Sequence, residues 1–293
     1  MDFNEFQNYV AEQLPGYLPA SWNSAELHIN KVQKIGAEYT ALSVFREGVP
    51  HSVSIDLDDY YRSYCGGMRE EEMFRQIADS LVDHEGEAPD IHWLSAYGQV
   101  KDRLFVRVCS REMNAAYLRT APHRCIEDLA LTCHVLVDLP ERSDVFASVT
   151  VRHDLLAGYG AAEETLFADA LASSAVILPA RISRLREALG AELTCAVNRE
   201  PFLVVTNSRG INGASALFYP GMMEKIARES GGSYYVLPSS IHEVLIVKDE
   251  GEDVSGALEE LVRDVNRRVV DPSERLSDHV YHYDARTAVF RQC

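Results

Sequence analysis

Hydrophobic positions recur at helical spacing from the start of the chain. Phe3, Phe6, Tyr9 and Val10 line one face, which predicts a helix over 2–13 that Pro15-Gly16 and Pro19 then break. The pattern switches to alternation over 26–33, 39–46 and 51–57, with Gly36 and Gly48 near the turns, and reads as an antiparallel meander. Helical spacing returns at Met73, Phe74, Ile77, Ala78 and Leu81, giving an amphipathic helix over 70–82. A strand over 104–109, a helix over 111–119 and a strand over 129–137 follow. In the last third, 202–206 and 214–218 read as strands flanking the turn-rich segment Asn207-Ser208-Arg209-Gly210-Ile211-Asn212-Gly213. Pro220 opens a helix that turns Met222, Met223 and Ile226 inward, and Gly231-Gly232 ends it. A helix carrying Leu258, Leu261, Val262, Val265 and Val269 leads to a final strand or hairpin over 280–290.

One stretch of this pattern occurs twice. Ser52-Val53-Ser54-Ile55 with Asp58, Glu70-Glu71 and Phe74 is matched by Ser148-Val149-Thr150-Val151 with Asp154, Glu163-Glu164 and Phe167. Each copy predicts a strand, a short helical turn near a tyrosine and a glycine, then an amphipathic helix. The expected class is therefore α+β, mainly antiparallel sheets with packed helices, in two lobes sharing a repeated strand–turn–helix unit. The lobes are placed at 1–120 and 121–293, together forming one compact unit.

Composition changes this picture in three ways. The net charge of −17 argues against direct nucleic-acid binding, which needs clustered Lys and Arg for phosphate contacts. The charge is also uneven: 56–90 holds eleven acidic residues against Arg62, Arg69 and Arg75, and 249–264 holds seven against Arg263. Such a surface is either a solvated helix face or a field that docks a basic protein partner or imitates a phosphate backbone. Third, no apolar run approaches the ~20 residues of a membrane helix, and the acidic start Met1-Asp2-Phe3-Asn4-Glu5-Phe6 is no secretory signal. No membrane association and a cytoplasmic location are expected. The six cysteines, Cys65, Cys109, Cys125, Cys133, Cys195 and Cys293, form neither a disulfide framework nor a zinc pattern and read as reduced thiols.

Candidate chemistry concentrates in one insert. The apolar runs Tyr234-Tyr235-Val236-Leu237 and Val244-Leu245-Ile246-Val247 flank Pro238-Ser239-Ser240-Ile241-His242-Glu243. Pro238 removes a backbone donor, so the insert is a loop between two strands, where binding groups tend to sit. Ser239, Ser240, His242 and Glu243 are the candidate catalytic residues of a hydrolase. A zinc-protease reading fails because position 246, where the second histidine belongs, is Ile246. No GxSxG turn presents the serines. The alternative is structural: the serines satisfy loop amides, and a mostly buried His242 bonds to backbone or hydroxyl groups beside Glu243. His123 and Arg124 before a strand, and Arg209 in the 207–213 loop, are candidates for binding a ligand, although Arg124 also suits a surface pair with Glu127 or Asp128. The 207–213 loop has no lysine and opens no helix, so it is not a P-loop, and no dinucleotide fingerprint exists. Of His279, His282 and Asp284, only the last two share a strand face, so no metal is expected, and no cofactor.

Several of these segments carry a family resemblance. Phe218-Tyr219-Pro220-Gly221, Leu237-Pro238-Ser239-Ser240-Ile241-His242-Glu243 and Leu276-Ser277-Asp278-His279-Val280-Tyr281, with Pro122-His123-Arg124, Asp128-Leu129 and 164–167, resemble a bacterial family known as domain of unknown function 5688. The likeness runs over nearly the whole chain, and that family is in turn distantly similar to domain of unknown function 1444. The resemblance implies a bacterial protein associated with mobile elements, and it implies no activity. The reading that follows from the residues is a non-catalytic interaction or regulatory protein presenting an acidic surface. A hydrolase at the 238–243 loop and a small-ligand sensor are the alternatives.

Overall fold

In a computed structural model of the chain, which describes residues 1–46, 53–83, 92–137, 146–184, 202–238 and 240–293, helix α1 (Phe3–Gln13) begins at a capping box. Asp2 accepts the Glu5 amide at 2.9 Å and Glu5 accepts the Asp2 amide at 2.8 Å, so two otherwise orphaned donors are satisfied. The meander expected next is present: β1 (Glu26–Lys34), β2 (Ala37–Phe45) and β3 (Val53–Asp56) pair antiparallel in that order. Helices α2 (Leu57–Cys65) and α3 (Glu70–Asp83) follow, and Phe6, Val10, Leu42, Leu57, Phe74, Ile77 and Leu81 join one core. These elements make up the first of two compact units, Met1–Asp90; the second is Ile91–Cys293. Residue 120, where the sequence pattern suggests a division, lies inside the second unit.

The second unit is built on two antiparallel sheets. After α4 (Tyr97–Val100) come β4 (Leu104–Ser110), a helix shortened to α5 (Ala115–Leu118), β5 (His123–Ile126), β6 (Leu129–Val137) and β7 (Ala147–Thr150). The long β6 takes β4 along one edge and β5 and β7 end to end along the other. Helices α6 (His153–Tyr159) and α7 (Glu163–Ile177) follow, and Ser174 of α7 accepts the Val106 amide at 3.0 Å, capping a donor of the outer strand β4. Then β8 (Ala180–Arg184), β9 (Phe202–Asn207), α8 (Met222–Ser230), β10 (Tyr234–Leu237), β11 (Val244–Lys248), α9 (Ser255–Arg268), β12 (Tyr281–Asp284) and β13 (Val289–Gln292) complete the unit. Their six strands run in the order β13-β12-β10-β11-β9-β8. One face of this sheet, with Tyr234, Val236, Val244, Ile246, Tyr281 and Tyr283, shares a core with Val106, Val108, Leu131, Cys133 and Val135 of the four-stranded sheet. The other face packs Tyr235, Leu237 and Val247 against Val262 of α9.

The α+β class and its antiparallel sheets are as the pattern predicts, and both copies of the repeated segment have the order strand, helix, helix. Their buried positions also correspond. Met73, Phe74, Ile77 and Leu81 in α3 match Leu166, Phe167, Ala170 and Ser174 in α7 at a constant offset of 93. Ser52 of the first copy lies outside the described residues.

Three expectations need correction. Residues 214–218 are not a strand; Gly213–Phe218 is a 3-10 helix, entered through Asn212 in the left-handed conformation at φ 54°. Gly213 through Leu217 are all buried, so no alternation of inward and outward positions exists to specify a strand. The 207–213 segment therefore does lead into a helical turn. In α9 only part of the apolar stripe faces inward, since Val262 is buried while Leu261 and Val269 are exposed. Strands β5 and β8 are short, with four and five residues, and their pattern is too brief to predict them as elements.

Candidate functional site

His242 ties three loops together. Nδ1 accepts the Asn212 amide at 3.2 Å, and Nε2 sits 3.1 Å from the Glu274 carboxylate. Because Nδ1 is the acceptor of a backbone N–H, the neutral ring carries its proton on Nε2 and donates it to Glu274. Around the ring the backbones are cross-linked as well. Thr206 donates its hydroxyl to the His242 carbonyl at 2.8 Å, the Ala214 amide donates to the Ile241 carbonyl at 3.1 Å, and the Ile241 amide donates to the Glu274 carbonyl at 2.9 Å.

The 207–213 loop is held ready for this contact by the fully buried Asn207. Its Nδ2 donates to the Ile211 carbonyl at 2.8 Å, and its Oδ1 accepts the Arg209 amide at 2.9 Å. Gly213 has to be glycine because the chains touch there. A Cβ at that position would stand 2.1 Å from Thr206 Oγ1 and 2.6 Å from both the Asn207 nitrogen and the His242 oxygen.

This geometry uses His242 from both sides. Its side chain is 30% exposed, less enclosed than the sequence suggests, and it bonds to a backbone group as expected. Ser240 accepts the His242 backbone amide at 3.1 Å, so the hydroxyl closes a local turn and makes no bond to the imidazole. Glu243 is exposed, and Ser239 lies outside the described residues. A serine nucleophile paired with an imidazole base is thus not assembled between Ser240 and His242.

The ligand-binding candidates separate. His123 and Arg124 are neighbours on β5 and face opposite sides of its sheet. His123 donates from Nδ1 to the Ala121 carbonyl at 3.0 Å, whereas Arg124 lies 4.6 Å over the Phe167 ring and does not pair with Glu127 or Asp128. Arg209 is exposed, with its guanidinium 5.8 Å over Phe146. His282 bonds Asp249 at 3.0 Å, and His279 lies 3.4 Å from Glu259. The Gly251 amide and then His282 hold the Asp249 carboxyl below the usual carboxylate range. Among the described residues no group of three His, Cys, Asp or Glu side chains is placed to hold a metal. Cys195 lies outside the described residues; burial pushes the Cys109 thiol up to about 12, which keeps it protonated.

Two of the motif segments meet at Asp128. Ser277 donates to its Oδ2 at 2.7 Å and the buried Tyr281 hydroxyl donates to its Oδ1, bolting the β5–β6 turn to the chain entering β12. Burial and the Asp128 bond push the Tyr281 hydroxyl far above its ordinary range. Asn266 of α9 donates to the Ser277 carbonyl at 3.0 Å and to Asp278 at 2.7 Å, so the 276–281 segment is fixed from two directions.

Sequence reasoning passed over one polar group altogether. Arg107 on β4 and Thr132 and His134 on β6 lie on the same face of the four-stranded sheet, with Tyr117 and Thr150 beside them. Thr132 Oγ1 is 3.0 Å from His134 Nε2, Tyr117 OH is 3.4 Å from the same nitrogen, and Tyr117 OH is 3.3 Å from Thr150 Oγ1. Burial pushes the His134 ring well below the ordinary histidine range, with the nearby Arg107 charge acting in the same direction. The signal was present in the chain: single polar letters at 107, 132 and 134 interrupt otherwise apolar strands.

Among the described residues no helix is long and apolar enough to cross a membrane. Neither a curated protein nor a solved structure matches the chain. The family of unknown function DUF5688 matches residues 3–285, nearly the full length, and the chain belongs to that family.

Proposed function

We propose that this is a non-catalytic interaction or regulatory protein of the cytoplasm that presents an acidic surface to a basic protein partner. The observation that carries the reading is the concentration of charge in the first unit. Residues 1–90 hold 17 acidic and 6 basic side chains, a net −11 of the chain's −17. On α3, Phe74, Ile77 and Leu81 are buried while Glu70, Glu71, Glu72, Asp79 and Asp83 are all exposed, so the charge faces water and not a pairing partner in the core. A field of one sign steers oppositely charged proteins toward it. The double engagement of His242 supports the non-catalytic half of the reading, since neither ring nitrogen is left to activate a nucleophile.

The test is capture of partners from host lysate at low and at high salt. Exposed charges are screened beyond ~10 Å at about 0.1 M ionic strength, so a partner held by this surface is retained at low salt and released at high salt. It should also be lost when Glu71, Glu72, Asp79 and Asp83 are changed together to lysine, and kept in His242→Ala. Finding no salt-sensitive partner, together with ester or amide turnover abolished by His242→Ala, overturns the reading in favour of a hydrolase at the 238–243 loop.

A further inference from the structure

The four-stranded sheet of the second unit has one apolar face and one mixed face carrying most of its polar side chains, and among the described residues this polar face holds a cation without a counter-ion. The register aligns it row by row. Arg107, Thr132 and His123 lie opposite one another across β4, β6 and β5, and Phe105, His134 and Thr150 form the next row across β4, β6 and β7. Residues directly opposite in antiparallel strands share a face, so these side chains project to one side, and neither row contains a carboxylate.

Among the described residues Arg107 makes no hydrogen bond and no ion pair. Its Nε is sealed from solvent with no acceptor, while the residue as a whole keeps partial exposure. A guanidinium has five donors and no acceptor, and buried charge in native proteins is paired. The neighbours cannot supply that pairing. His134 is fully buried and neutral, Cys109 keeps its proton, and Tyr117, Thr132 and Thr150 are uncharged hydroxyls. Desolvation accordingly pushes Arg107 below the ordinary arginine range.

What such a cluster lacks is an acceptor with negative charge. The planar guanidinium fork matches the two oxygens of a carboxylate or phosphate. The chain's net −17 repels anions at long range, so an anion binds here through local geometry and not through general attraction. We propose that the polar face of this sheet, centred on Arg107, binds a small oxyanion, the carboxylate or phosphate group of a metabolite. This inference is independent of the acidic-surface reading, because it concerns a different unit and the opposite charge.

The test measures thermal stability and calorimetric binding of the full chain with sodium phosphate and, separately, sodium acetate, at ionic strength held constant with sodium chloride. The expected result is a saturable rise in melting temperature with at least one anion; which one saturates tells phosphate from carboxylate. Arg107→Met should abolish that rise. Its melting temperature without anion should not fall, since an uncompensated buried charge has been removed. Should Arg107→Met fail to fold, Arg107→Lys keeps the charge but loses the fork and is expected to bind at least tenfold more weakly. No saturable shift with either anion, or a shift retained unchanged in the Arg107 variants, overturns the proposal.

Discussion

The His242 clasp and the Arg107 face are both polar clusters in one unit, and they differ in whether their groups satisfy one another. At His242 each ring nitrogen has a partner, the serine hydroxyl serves a backbone amide, and the carbonyls of Ile241, His242 and Glu274 all accept. At Arg107 a charged donor set is left over, although the hydroxyls and the imidazole around it are bonded. A histidine, serine and glutamate close together in sequence suggest chemistry, yet their geometry makes a joint between loops. An arginine isolated in an apolar strand suggests little, yet among the described residues its buried Nε finds no acceptor.

The sharpest way to break this contrast is at Gly213, where the clasp allows no added atom. Gly213→Ala places a Cβ against Thr206 Oγ1, the Asn207 nitrogen and the His242 oxygen. The hydroxyl can rotate away, but the other two atoms are backbone. Overpacking of this kind costs roughly 3 kcal/mol, to be read from the urea midpoint at an unchanged slope. A loss under 0.5 kcal/mol would mean that the three loops are not held together at His242.

What the sequence made legible was what local pattern encodes. The first helix, the strand over 129–137 and the apolar stripe of α3 with its echo at Phe167 all follow from spacing of 3.6 or 2 and from neighbouring residues. Gly213–Phe218 was misread because residues enclosed on every side have no periodicity. The clasp was illegible for another reason. His242 finds Asn212 across 30 residues, and although a backbone or hydroxyl partner is expected for the ring, nothing near position 242 announces which group it is. The candidate residues His123 and Arg124 were named together because they are adjacent, and adjacency in a strand is what sends them to opposite faces. Arg107, Thr132 and His134 left a readable trace that was missed: each breaks an apolar strand, and the register then gathers them on one face.

The Arg107 face also has a pH dependence. His134 is buried neutral, so its folded value lies well below its unfolded one near 6.5. The folded ring therefore binds fewer protons than the unfolded ring at acid pH. The sign follows: this contribution is intact above about pH 6.5 and is lost progressively below it, by about 1.4 kcal/mol per pH unit while the folded ring stays neutral. The groups facing it are Arg107, which lowers it further, and Tyr117, which stays protonated throughout. Carboxylates held below their usual range, such as Asp249, lose their contribution only at still lower pH. Denaturant unfolding between pH 7 and 5 should show the slope in the native chain and a flatter one in His134→Asn. Equal slopes in both would place the titration elsewhere.

The smallest effect is expected at the outer edge of the clasp. Glu274 is 44% exposed and His242 is 30% exposed, so their contact is largely solvated and screened by salt. Half-exposed pairs of this kind contribute about 0–1 kcal/mol, and the Glu274 backbone carbonyl would still accept the Ile241 amide after any side-chain change. Glu274→Gln retains a side-chain oxygen able to accept the Nε2 proton and removes only the charge. It should therefore cost under about 0.5 kcal/mol, a loss that shrinks further in high salt, whereas Glu274→Ala removes the acceptor and costs about 1 kcal/mol. A double-mutant cycle with His242→Ala separates the two contributions. If Glu274→Gln alone costs as much as Gly213→Ala, the charge on Glu274 holds the loops together, and the view of the clasp as a joint made mainly of backbone hydrogen bonds is wrong.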